Sequence, residues 1–118
     1  MRVQMEGQTL RLRIDEAELA QLLAGSSTEN RTCLPDGRIE TQQLRLAARL
    51  DWQRDGATWR IELPQAEVHA LSARLPSREG LHFDLPTPND ATLQIAFDVD
   101  VRDSTRRRMH KPSEGDAT

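Results

Sequence analysis

The sequence predicts an α+β fold: a largely antiparallel sheet or half-barrel with two helices on one face, arranged as an internal ββαβ + ββαββ pseudo-repeat. Three observations carry this expectation. Apolar residues alternate with charged ones over several stretches, as in strands with one buried and one wet face. Gly and Asp-Gly turns punctuate those stretches. A nineteen-residue block, GQTLRLRIDEAELAQLLAG at 7–25, also recurs as GATWRIELPQAEVHALSAR at 56–74. The two copies align without a gap at a shift of 49, and seven of their nineteen positions are identical. Other pairs keep their character, among them Leu10/Trp59, Leu12/Ile61 and Ile14/Leu63. Each copy reads as turn, strand and helix, which points to tandem duplication within one small domain.

The first strand is expected over 2–6, with Val3 and Met5 against Arg2, Gln4 and Glu6. Gly7-Gln8 makes a tight turn. In the next strand Leu10, Leu12 and Ile14 face inward, while Thr9, Arg11 and Arg13 face out. A slip of one residue would bury both arginines, so this register is well specified. Asp15 starts a helix, and Glu18 three residues on completes a capping-box spacing. Leu19, Leu22 and Leu23 supply the apolar stripe, and Gly25 supplies the stop.

These opening residues, MRVQMEGQTLRLRIDEAEL, resemble a family of short bacterial proteins of unknown function. Its members begin with an alternating strand, a Gly-polar-polar turn, a second strand alternating with Arg, and a capped helix. The resemblance covers residues 1–24 and extends across 57–101. It implies the fold and carries no activity, cofactor or catalytic residue.

Beyond the helix, a polar stretch ends as a strand near 31–34, and Pro35-Asp36-Gly37 turns the chain. The longest strand expected spans 39–53, with Leu44, Leu46, Ala48, Leu50 and Trp52 on one face. Asp55-Gly56 makes the next hairpin turn. Trp59, Ile61 and Leu63 then take the places of Leu10, Leu12 and Ile14. Pro64 suits the first turn of the second helix, which buries Val68, Leu71 and Leu75 and ends at Pro76. Two more strands follow, one with Leu81, Phe83 and Leu85 inward, the other with Leu93, Ile95, Phe97, Val99 and Val101. The domain is therefore expected over 1–101, with its halves at about 1–34 and 39–101, followed by a disordered polar tail at 102–118.

Composition narrows the function. The net charge of −3 argues against nucleic acid as the main partner, and the arginine excess, fifteen of the sixteen basic residues, is read as codon bias in a GC-rich genome. The single cysteine, Cys33, cannot close an intrachain disulfide, and no Cys/His cluster has metal spacing. No apolar run is long enough for a membrane span or signal region, so the expectation is a cytoplasmic protein with no membrane partner. Phosphate-loop, dinucleotide and zinc motifs do not occur.

Two constellations could carry chemistry. Asp98, Asp100 and Asp103 sit at the end of the last strand, the first two on one face, where they could hold Mg or Mn. The bland reading is a solvated strand face. Arg11 and Arg60 are equivalent across the repeat and, with Arg13, Arg45 and Arg49, could line a groove for phosphate or carboxylate. The bland reading is cross-strand pairing with Glu6, Asp51 and Glu62. His69, His82 and His110 lie in separate elements and form no triad pattern, and the run Arg106, Arg107, Arg108, Lys111 lies in the tail. The expected function is a non-catalytic binding or protein-interaction module without a cofactor, joined to a protein partner or to itself as a homodimer. The alternative is metal-assisted binding or hydrolysis of a phosphorylated or other anionic small molecule.

Overall fold

The two copies of the repeated block each contribute a hairpin, and each hairpin joins a different sheet. The structure is a computed structural model and describes residues 1–101. Its elements are β1 (Arg2–Glu6), β2 (Thr9–Asp15), α1 (Glu16–Leu23), β3 (Thr28–Cys33) and β4 (Ile39–Ala47), then β5 (Asp51–Asp55), β6 (Thr58–Pro64), α2 (Gln65–Ala73), β7 (Leu81–Pro86) and β8 (Thr92–Asp100). The class is α+β. The strands form two open four-stranded sheets, β1-β2-β8-β7 and β3-β4-β6-β5. Neighbours are antiparallel except for the central pairs β2–β8 and β4–β6, which run parallel.

The strand expected over 39–53 is two strands. β4 runs parallel to β6 and β5 antiparallel to it, so the chain must reverse between Ala47 and Asp51. Residues 48–50 make that reversal without Gly or Pro, and the apolar alternation continues straight through it. The element order is consequently ββαββ in both halves, in place of ββαβ followed by ββαββ. β3 also begins earlier than expected, at Thr28, because its polar residues hide the strand period.

The halves share their pairing. Val3 pairs with Leu12 in β1–β2, and Trp52 with Ile61 in β5–β6, both displaced by 49 positions. Thr28 pairs with Leu44 in β3–β4, and Leu81 with Phe97 in β7–β8, both displaced by 53. The turns agree as well: Gly37 and Asp90, again 53 apart, both take positive φ, at 90° and 60°. The amides of Leu34 and Thr87 bond the carbonyls of Arg38 and Ala91 at 2.8 and 3.1 Å. Each sheet thus takes the front hairpin of one half and the rear hairpin of the other.

One core results. Leu10, Leu12, Ile14, Ile95 and Phe97 meet Leu44, Ile61 and Leu63 of the other sheet, with Leu19, Leu22, Val68 and Leu71 from the helices. Each helix touches strands of both sheets. Burying each such aliphatic side chain is worth about 1.5–3 kcal/mol.

The helix ends differ between halves. Asp15 caps α1 by accepting from the Glu18 amide at 2.8 Å, and Glu18 Oε1 accepts from the Asp15 amide at 3.1 Å. At the other end Ser26 N–H bonds Gln21 O and Gly25 N–H bonds Leu22 O, the pattern that closes a helix through a left-handed glycine. Pro64 stands at the N-cap of α2, one place earlier than expected, and has no side chain able to cap. Glu18 also accepts from Thr28 Oγ1 at 2.9 Å and pairs with the Met1 ammonium. Burial alone would raise the Glu18 carboxyl. The donors from Met1, Asp15 and Thr28 outweigh it and hold the group below its ordinary range.

Candidate functional site

The fold separates the five predicted anion-binding arginines, four of them onto two different sheets. Arg11 and Arg13 lie on the outer face of β2, Arg45 and Arg60 on the outer faces of β4 and β6, and Arg49 in the reversal between β4 and β5. Both central faces are charged because odd-numbered residues of β2 alternate with the buried Leu10, Leu12 and Ile14. In the second sheet Arg45 and Arg60 are matched. Arg45 Nε donates to Glu62 Oε2 at 2.6 Å, and Arg60 lies 3.8 Å from Asp55. Of the partners foreseen for them, Glu62 is used, while Asp55 and Asp98 replace Asp51 and Glu6.

In the first sheet Arg11 Nε is 3.7 Å from Asp98. Arg13 stands between Asp98 of β8 and Arg2 of β1, and its Nε is buried without a hydrogen-bond partner among the described residues. Arg2, Gln4, Arg11 and Arg13 surround a cavity of about 60 Å³. Arg2 and Gln4 were missed by sequence reasoning, although the two-residue Gly7-Gln8 turn already places Arg2 opposite Arg13.

The expected carboxylate cluster is only partly within view. Asp98 and Asp100 share a face as the strand period requires, with Asp98 directed towards Arg11. Asp103 lies outside the described residues, as do His110 and the 106–111 basic run. Among the described residues no group of three or more His, Cys, Asp or Glu is placed to hold a metal ion. His69 and His82 are exposed on α2 and β7, and Cys33 is an exposed thiol 3.7 Å from its neighbour's carbonyl, that of Leu34.

A further site follows from the topology alone. β5 is one edge of the second sheet and β7 one edge of the first. Between them lies a pocket of about 340 Å³, walled by Asp51 and Trp52 on one side and by Leu85, Pro86, Thr87, Pro88 and Leu93 on the other. Trp52 meets Trp59 edge to face at 5.7 Å, and the Arg54 guanidinium sits 5.5 Å over the Trp59 ring. Both indole N–H groups are buried without an acceptor among the described residues. Such donors are costly to leave unpaired. The sequence held the tryptophans in plain view, but not the exchange of hairpins that sets Trp52 beside Leu85.

No protein-family model matches the chain, and no curated protein matches it in sequence. No helix of the described residues is long and apolar enough to cross a membrane.

Proposed function

We propose that this chain is a non-catalytic binding module that receives an extended segment of a protein partner at the pocket between β5 and β7. The observation that carries the reading is the pairing of an open strand edge with an apolar, partly polar-lined pocket beside it. A free edge offers unpaired backbone donors and acceptors to an added strand, and a neighbouring pocket selects one of its alternate side chains. Leu85, Pro86, Pro88 and Leu93 suit an apolar side chain there, and the Asp51 carboxylate at the rim suits a basic neighbour. We further propose that the two ββαββ halves arose by duplication, since their registers coincide hairpin by hairpin.

The test is selection of peptides from a displayed random library against the folded protein. The expected winners are extended, carry an apolar residue flanked by a basic one, and lose binding to Trp52→Ala and Leu93→Asp but not to Arg60→Gln. A concentration-dependent dimer lost in Trp52→Ala would make the partner a second copy. Winners indifferent to both pocket substitutions would contradict the proposal.

A further inference from the structure

The two sheets supply a comparison within one molecule. Arg2, Arg11, Arg13 and Asp98 on the outer face of the first sheet occupy the places that Asp51, Arg60, Glu62 and Arg45 hold in the second. In the second sheet this set has two cations and two carboxylates. In the first it has three arginines around one carboxylate. Arg2 and Arg13 are moreover directly opposed across β1–β2, a like-charge arrangement that destabilises a strand pair. The same rung in the second sheet opposes Asp51 to Glu62, with Arg45 on the other side of Glu62 as Asp98 is on the other side of Arg13, so the difference between the sheets is the excess of arginine in the first.

We infer that the first sheet binds a compact dianionic oxyanion, a phosphoryl group, in the cavity bounded by Arg2, Gln4, Arg11 and Arg13. Three guanidiniums offer planar, paired N–H donors suited to phosphate oxygens, and Gln4 adds an amide donor. Arg13 lines this cavity, and its buried Nε has no hydrogen-bond partner among the described residues. The cavity, about 60 Å³, is small and suits a compact head group. Carboxylates stand further off: Asp15 and Asp100 two positions beyond Arg13 and Asp98, Glu6 and Asp84 towards the other end. They repel longer polyanions, so a single phosphoryl group is favoured over a triphosphate. The site is separate from the β5–β7 pocket and stands or falls without it.

The test uses the full chain at constant ionic strength, titrated with inorganic phosphate, phenyl phosphate or chloride while arginine side-chain N–H signals are followed by NMR. Saturable shifts of Arg2, Arg11 and Arg13 with phosphate but not chloride are expected. Affinity should fall about tenfold or more in Arg13→Gln, since hydrogen bonds between charged groups are the strong ones. Arg60→Gln, the counterpart of Arg11 in the second sheet, should leave affinity unchanged. Phenyl phosphate binding at least as tightly as inorganic phosphate would point to a phosphomonoester, and weaker binding to the free ion. If Arg13→Gln does not fold, Arg2→Gln on the exposed edge strand carries the same expectation. Non-saturating shifts that chloride reproduces, or equal affinity in the folded variant, would overturn the inference.

Discussion

Arg45 stands across the parallel pair β4–β6 from Glu62 and donates to it through Nε at 2.6 Å. The corresponding rung of β8–β2 sets Asp98 across from Arg13, the same pair with its signs exchanged. Both sheets therefore place opposite charges at one point of their outer faces, while the identity of each residue has changed.

A double-mutant cycle on Arg45 and Glu62 should return a coupling of about 0.2–1 kcal/mol, the range for cross-strand and exposed ion pairs. The reversal Arg45→Glu alone should destabilise, and Arg45→Glu with Glu62→Arg should recover part of the loss. Denaturant midpoints at low and high salt measure both, and the coupling should shrink in high salt.

Gly80→Ala should destabilise the first sheet, because a Cβ there would collide with the Phe97 carbonyl, which is backbone and cannot swing aside. Gly37→Ala should also cost stability, since Gly37 holds φ at 90°, where alanine is strained. At the equivalent turn Asp90→Gly should be neutral or stabilising, since it relieves a residue held at φ 60°. Thermal melts of the three variants decide the order.

Glu18 links stability to acid. Its carboxyl is held below the ordinary value of 4.5, so its contribution is complete above that pH. The contribution is lost as pH falls through the lowered folded value. Wild type should exceed Glu18→Gln in stability near neutrality, and the gap should close on acidification. Thr28→Val should narrow the gap by removing one donor. Urea melts from neutral pH down to strongly acidic conditions test the sign.

Much of the fold could be read from residues whose effect is local. The capping box at Asp15 and Glu18 needs only three residues' spacing, and the inward faces of β2 and β6 need only a period of two. The reversal at 48–50 could not be read, because Leu46, Ala48, Leu50 and Trp52 keep one period across it and no Gly or Pro marks it. Pairing of β2 with β8, 85 positions apart at Thr9 and Gln94, is likewise a long-range choice made by the shared core. This is why the five arginines looked like one set, whereas four of them fall on two different sheets and Arg49 lies between β4 and β5. It is also why Arg2 escaped notice: an exposed residue near the chain start gains its meaning only beside Arg13 and Asp98.

The binding proposal has a direct probe, because Trp52 and Trp59 are the two tryptophans of the chain, Trp52 lines the β5–β7 pocket and Trp59 packs against it. Their indole N–H signals are followed by NMR during titration with a library-selected extended peptide, Trp52 reporting on the pocket itself and Trp59 on its neighbour. The expected result is a saturable shift of the Trp52 indole, together with new protection of β5 amides from exchange. Saturation of binding with both indoles and the β5 amides unmoved would contradict the account.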